Sequence, residues 1–509
     1  MTKKIFWGIA ALHAQNFEKY IEKENLDNKF NNFSFRVTEP NFLLRSNFEN
    51  FFNPIAYVKD TTILENKNIG FPQIKIINNR HSILFVSDTF GMQSLYWIKK
   101  NDFIIFSNSS YFLAKMMKKS PLGIEGLFVH LILRGQLNYM SYFDGILQLP
   151  PQSILKFDQS GLTISKRNIN TVPNSNIGEI LLKDIPDNII TKSGISFSGG
   201  IDSSILASEA VKKYKNATCY SLVNSKNKNL TTDLFFADLL AQEKKLFVTK
   251  VPFKLNEDLF YYDMPILDHD IYGQYCLEKS MLADGKKIML SGSGADELFG
   301  GYDRIFYYTH KIDTMKYADP LDWILKRYTY TKFELLQCID FTIFNKIYDE
   351  IKTYYVKITK DSGCLVGQLH YWFIYHHLFW ILKMMPQNIM CIFPYLREEF
   401  LAYCLQEDIQ NLFPYVMYDQ SDPIYNLKVK NIFKEQYKQI LPSEILSRPK
   451  LPFSVQENEI DNWYQLQYIK NKPDCLIPQK IFLNILADKY GKQTKLLFLS
   501  YILWRQRVS

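Results

Sequence analysis

The run Gly194-Ile195-Ser196-Phe197 passes without a spacer into Ser198-Gly199-Gly200-Ile201-Asp202-Ser203-Ser204, then into Ile205-Leu206-Ala207 with Ala210, Val211 and Tyr214 beyond. An apolar run of strand length, a double glycine and a helical apolar period in succession predict a buried strand that turns sharply into an amphipathic helix. The same order recurs where Lys287-Ile288-Met289-Leu290 runs into Ser291-Gly292-Ser293-Gly294-Ala295-Asp296-Glu297-Leu298-Phe299-Gly300-Gly301-Tyr302. Such turns aim backbone N–H groups and serine hydroxyls at an anion, and a helix N-terminus adds roughly half a positive charge, which favours phosphate. Asp202 and Asp296 place one carboxylate beside each turn, where it is tolerated mainly as a magnesium ligand. No Gly-Lys-Ser/Thr follows the glycines and no lysine lies within the first loop, so this is not the Walker pattern. Two strand ends with one aspartate each predict a grip on magnesium-triphosphate from both sides, with pyrophosphate released.

A chain of 509 residues, 47% hydrophobic, is too long for one ordinary core and predicts two or more domains. Its charge of +8 comes from 60 basic and 52 acidic residues spread along the chain, without the dense block of a nucleic-acid tail. The amino terminus lacks the apolar stretch and cleavage site of a signal peptide, so a cytoplasmic location is expected. No run reaches the roughly 18 apolar residues of a membrane span. The nearest, Tyr371 to Leu382, is interrupted by His376 and His377 and is predicted to be a buried helix. Seven cysteines without CxxC spacing support neither a zinc site nor a redox motif.

Up to about Lys166, short β-rich runs such as Ser82 to Val86 and Phe103 to Phe106 alternate with Asn, Asp and Gly turns. Arg167 to Asp187, rich in Asn and Pro, reads as the connection between domains. Beyond it, strand candidates at Ile195, Thr218 to Val223, Phe247 to Val251 and Ile288 to Leu290 alternate with helical patterns, which predicts a parallel sheet covered by helices. From about Tyr302 the remainder reads as mostly helical. The expected class is α/β, with residues 1–170 a β-rich layered domain and residues 180–509 the parallel-sheet domain with its helical continuation.

The two glycine-rich segments resemble the synthetase domain of the asparagine synthetase family, which includes asparagine synthetase, beta-lactam synthetase and lasso-peptide cyclases. The resemblance covers nearly the whole chain. Ser87-Asp88-Thr89-Phe90-Gly91-Met92-Gln93-Ser94-Leu95-Tyr96 is similar to a strand-turn segment of the family's glutaminase-like domain, Leu149-Pro150-Pro151 to its exit, and Leu441-Pro442-Ser443-Glu444-Ile445-Leu446-Ser447-Arg448-Pro449-Lys450 to the closing lysine segment. The resemblance implies an Ntn-hydrolase-like first domain and an ATP pyrophosphatase (PP-loop) second domain. It also implies that Ser198, Gly199, Gly200, Ser203 and Ser204 hold the pyrophosphate, with Ser291, Gly292 and Gly294 also binding ATP. Asp202 and Asp296 would bind Mg2+, Ile195 to Phe197 and Val223 flank the adenine, Lys430 hold the leaving pyrophosphate, and Lys450 neutralise charge at the α-phosphate and acyl centre.

Family members that use glutamine begin their mature chain with a cysteine whose own α-amine is the base. Here Trp7-Gly8-Ile9-Ala10 resembles that start with Trp7 in place of the thiol, and no cysteine precedes Cys219, so glutamine hydrolysis is not expected. Ser293 stands where asparagine synthetase has glutamate and beta-lactam synthetase tyrosine, and serine is a poor general base unaided. Phe393-Pro394-Tyr395-Leu396-Arg397 replaces the family's Pro-Phe-Leu-Asp, and Met390 replaces a frequent glutamate, so acceptor binding is expected to have changed or been lost. The expected activity is adenylation of a small-molecule or peptide carboxylate and its transfer to ammonia or an amine. Asparagine or a macrolactam as product, or ATP binding without turnover, remain open, as does the oligomeric state.

Overall fold

A computed structural model describes residues 6–11, 35–39, 42–46, 55–59, 73–79, 82–169, 171–214, 217–223, 228–255, 261, 263–302, 333–362, 364–386, 388–412, 429–448, 457–471, 474 and 476–509. The amino-terminal part contains β1 (Phe6–Ala11), β2 (Phe35–Glu39), β3 (Phe42–Ser46), β4 (Ile55–Lys59), β5 (Ile74–Asn79), β6 (Ser82–Ser87), β7 (Tyr96–Lys100), β8 (Phe103–Ser107), β9 (Leu147–Gln148), β10 (Ser153–Asp158) and β11 (Gly161–Lys166). They form one sheet in the order β2-β3-β1-β8-β7-β9 and another in the order β11-β10-β6-β5-β4. Neighbours are antiparallel except β4 and β5, which run parallel.

Period-2 alternation explains the layering, because successive strand side chains face opposite sides. Ala10, Leu44, Ile104 and Phe106 of the first sheet pack with Ile74, Ile76, Phe85 and Leu155 of the second. The opposite face of the first sheet, with Trp7, Ile9, Phe103 and Ile105, joins a larger cluster containing the helices Ser110–Met117 and Ile124–Leu133.

The third sheet comprises β12 (Ser193–Ser196), β13 (Thr218–Val223), β14 (Phe247–Pro252), β15 (Ile288–Leu290) and β16 (Met390–Ile392), all parallel, in the order β14-β13-β12-β15-β16. Helices Ile201–Lys213, Lys228–Lys244 and Ile271–Ala283 alternate with its strands. Strand β13 lies on one side of β12 and β15 on the other, so the order reverses there, and ligands of such sheets bind at the carboxyl ends flanking that reversal. Beyond Phe333 the described chain is mostly helical, closing in Lys492–Val508. Among the described residues no helix is long and apolar enough to cross a membrane.

Three features differ from the sequence reading. The buried helix expected over Tyr371 to Leu382 is interrupted by a π-helical turn at Phe373–His377, between α-helices Leu365–Trp372 and Leu378–Met384. Strand β16 was not expected, since three residues carry no readable period. The Asn- and Pro-rich connection is packed rather than loose, because Ile177, Ile180, Leu181, Leu182 and Ile185 are buried in the large cluster.

Polar contacts join the amino-terminal sheets to the rest. The Asp263 carboxylate accepts from Ser109 Oγ at 2.7 Å and Tyr111 N–H at 2.8 Å, at the start of the Ser110–Met117 helix. Lys383 Nζ donates to Gly91 O and Ser94 Oγ, both at 2.9 Å. The Asp88 carboxylate orders that turn by accepting the N–H groups of Phe90 and Met92 at 3.1 and 2.8 Å.

Candidate active site

Strand β12 delivers Ser198-Gly199-Gly200 to the carboxyl end of the sheet, and the Ile201–Lys213 helix starts at once with Gly200 as its N-cap. Gly199 has φ +69°, and a Cβ there would lie 2.4 Å from Ala237 N, so the turn presses on the Lys228–Lys244 helix in a way only glycine permits. Two serines knit the loop. Ser203 Oγ accepts from Ser198 N–H at 3.2 Å and donates to Gly200 O at 3.1 Å, and Ser198 Oγ accepts from Gly200 N–H at 3.3 Å.

The second turn leaves β15 with Ser291 N–H bonded to Ile392 O at 3.0 Å, and Gly294, at φ +94°, leads into the short Ala295–Leu298 helix. The two turns touch: a Cβ on Gly292 would stand 3.4 Å from Asp202 Cβ. Ser291 and Ser293 hydroxyls share a 2.9 Å hydrogen bond. Lys430 closes the arrangement, its Nζ paired with Asp202 Oδ2 and 2.5 Å from Asp296 Oδ1. Burial lowers the proton affinity of this ammonium, but the two carboxylates more than restore it and hold its pKa above the ordinary lysine value.

The donor set suits a magnesium nucleotide. Hard carboxylate oxygens from two strand ends converge within reach of one cation, and magnesium is commonly held by one or two carboxylates plus substrate phosphates. Hydroxyls and a helix start lie beside them for the phosphates.

The asparagine synthase family profile matches residues 191–472, more than half of the chain, and takes in both turns and Lys430. The chain belongs to the asparagine synthase family. Its parallel-sheet part is thus a PP-loop ATP pyrophosphatase-type domain, of the kind that serves ATP-dependent adenylation. Over 125 residues the chain is 32% identical to a Methanocaldococcus jannaschii protein named as a candidate glutamine-hydrolyzing asparagine synthetase, a match covering 23% of this chain and 22% of that protein. The chain therefore spans about a fifth of that relative's length. Two solved structures are also similar to it. A U34-tRNA thiolase NcsA from Methanococcus maripaludis with its [4Fe-4S] cluster is 10% identical at a TM-score of 0.25, covering 62% of this chain and 76% of that one. A glutamine-dependent NAD+ synthetase from Acinetobacter baumannii in complex with ADP is 11% identical at 0.19, covering 70% and 95%. At these TM-scores neither superposition carries an argument.

Of the residues expected to serve this asparagine synthase-type site, Ser198, Gly199, Gly200, Asp202, Ser203, Ser291, Gly292, Gly294, Asp296 and Lys430 lie on or against the two turns. Ser204 is different: it is fully buried and its hydroxyl has no hydrogen-bond partner among the described residues. Phe197 and Ser198 line a recess with Ser221, Leu222 and Asp233, whereas Ile195 is enclosed within the sheet and Val223 is half-buried at the end of β13. Lys450 lies outside the described residues.

Several contributors escaped the sequence reading. The Arg448 guanidinium pairs with Asp233, donates to Ser198 O at 3.4 Å and lies 4.7 Å from the Phe236 ring centroid, tying the first turn to the Lys228–Lys244 helix. Burial pushes the Asp233 carboxyl up against the pull of that guanidinium. The segment expected to carry altered acceptor binding also braces the turns. Tyr395 OH donates to Asp202 O at 2.9 Å, Leu396 packs on Gly294, and buried Arg397 donates to Lys183 O at 2.7 Å. Next along, Glu398 pairs with Arg167 and accepts from Thr89 Oγ1 at 2.5 Å, reaching the amino-terminal part. A tyrosine at the family's phenylalanine position was the available signal, because a buried hydroxyl demands a partner.

Proposed function

We propose that this protein is an ATP-dependent, AMP-forming amide ligase without glutaminase activity of its own, in which residues 1–170 are a degenerate amidotransferase-like scaffold and residues 180–509 the synthetase domain. The observation that carries the reading is the convergence of Asp202 and Asp296, from two adjacent strand ends, on Lys430.

In this reading a substrate carboxylate oxygen attacks the α-phosphorus of ATP, the bond to the β-phosphate bridging oxygen breaks, and pyrophosphate leaves. An amine or ammonia then attacks the acyl carbon, AMP departs, and the nitrogen loses its extra proton to solvent or a base. The Ser198–Ser203 turn receives the β- and γ-phosphates with its hydroxyls and backbone donors, joined by Ser291, Gly292 and Gly294. Ser204 supports the turn from within the helix. Phe197 and the recess beside it receive the adenine, with Val223 at the end of β13 and Ile195 supporting the recess from within the sheet. Asp202 and Asp296 would hold Mg2+, which would supply charge neutralisation of the phosphates when bound. Lys430 holds the leaving pyrophosphate, and Lys450 stabilises charge at the α-phosphate and acyl centre.

Trp7 favours an amine that does not come from glutamine hydrolysis in this chain, because a fully buried indole stands where the sequence resemblance puts the family's cysteine. Free ammonia with aspartate gives asparagine, and an amine within the same substrate gives a macrolactam. The test is release of AMP and pyrophosphate from magnesium-ATP, first with aspartate and ammonium, then with a panel of amino-acid and peptide carboxylates. Carboxylate-dependent AMP supports the ligase. ATP binding with no AMP from any carboxylate would favour a non-catalytic family member.

A further inference from the structure

Lys430 does more at this site than face a leaving group, because its ammonium occupies the point where both carboxylates converge. Its stem runs along Gly300-Gly301. A Cβ on Gly301 would lie 2.6 Å from Lys430 Cε and 1.9 Å from Asp296 Oδ1, so a bare glycine backbone forms one wall of the socket. Lys430 N–H donates to Gly300 O at 3.4 Å, and the residue has a left-handed φ of 55°, a strained conformation for a lysine that its surroundings must hold. The side chain is 5% exposed. One turn along, Lys434 is half-buried, and burial together with the nearby Lys430 charge lowers its pKa.

We propose that Lys430 and the divalent cation compete for the same oxygens of Asp202 and Asp296, so that the cation enters only with a polyphosphate that draws the ammonium away. Two carboxylates and one ammonium leave a local charge of about −1, and a divalent cation added beside Nζ would place like charges a few ångströms apart on the same oxygens. A polyphosphate removes the conflict by offering Nζ another anion. The inference rests on the assignment of Asp202 and Asp296 as the magnesium ligands, and makes cation and nucleotide binding interdependent.

Mn2+ titration followed by electron paramagnetic resonance, without nucleotide, tests this on the wild type, Lys430→Met, and Lys430→Met combined with Asp202→Asn. The expected result is one Mn2+ bound at least tenfold more tightly by Lys430→Met than by the wild type, with the gain lost in the double variant. Equal Mn2+ affinity in the wild type and Lys430→Met overturns the inference. Lys430→Met leaves two carboxylates without their counter-ion, so its thermal midpoint is followed against Mn2+ as well. A midpoint, or recovery of folding, that rises with Mn2+ in Lys430→Met but not in the wild type supports the competition, and indifference of both overturns it. Wild-type binding of ATP with Mn2+ is measured in parallel. If it is present while Lys430→Met shows no gain, only the competition fails; if it is absent, the nucleotide site itself falls.

Discussion

Asp202 is held from two sides, by Lys430 at its carboxylate and by Tyr395 at its carbonyl, and the two contacts predict different losses. Asp202→Asn removes a proposed metal ligand but keeps the side chain's shape, so AMP release from magnesium-ATP is expected to fall below detection while the thermal midpoint moves by only a few degrees. Unchanged AMP production would remove Asp202 from the metal site. Tyr395→Phe keeps the ring stacked on Phe433 and deletes one buried hydrogen bond, which predicts about 1 kcal/mol less stability by urea unfolding and a higher KM for ATP. An unaltered KM with the expected stability loss would make Tyr395 a packing residue alone.

At the scale of elements, the first turn works because a strand, two glycines and a helix are fused without slack. Gly199→Ala adds a methyl to a left-handed residue already pressed against Ala237, so nucleotide binding should be lost along with several kcal/mol of stability. Gly200→Ala, whose Cβ would meet only Ser198 Oγ at 3.3 Å, should be far milder. Equal effects in calorimetry and nucleotide binding would show that the approach of the Lys228–Lys244 helix does not govern the turn. In β1 the indole of Trp7 packs near Phe112, at 6.1 Å between ring centroids. Trp7→Cys is expected to lose roughly 3 kcal/mol to the cavity and to yield no glutamate from glutamine, because residues still precede the thiol. Glutamate release would show that a thiol at position 7 can act without a free α-amine of its own.

At the scale of the whole molecule, the larger apolar cluster takes in residues from Trp7 to Val508, and four histidines buried elsewhere in the described interior set a pH limit. His130 and His376 are pushed down to about 3 and His269 and His370 to about 4, in each case chiefly by burial. The folded state keeps these rings neutral while the unfolded chain protonates them near pH 6.5, so stability is full above that value and falls as pH drops toward 4. Four such groups give a slope on the order of 5 kcal/mol per pH unit, enough to consume an ordinary domain stability within about two units. Buried Asp88, Asp233 and Glu278, whose carboxyls are pushed up chiefly by burial, oppose the fall at its lower end. Urea midpoints measured from pH 7 to 5 check this, and a flat profile would mean the rings are protonated in the folded protein.

Local patterns were enough to read the strands at Thr218–Val223 and Ile288–Leu290, both glycine turns and the two aspartates, because strand period, turn chemistry and helix starts are written in neighbouring residues. They did not disclose that Glu398, Arg167 and Thr89 meet, that Tyr395 braces Asp202, or that Arg448 clasps Ser198 to Asp233. Tyr395 and Asp202 lie 193 positions apart, Arg448 and Asp233 215, and Glu398 and Arg167 231, and no local propensity encodes such pairings. The buried connection after Lys166 and the short strand β16 were illegible for the same reason, since their places follow from the surfaces already formed around them. Sequence alone determined the kind of site this chain builds. Only the tertiary structure decided that both aspartates share one lysine, because that depends on three distant segments closing around a point at the sheet's reversal.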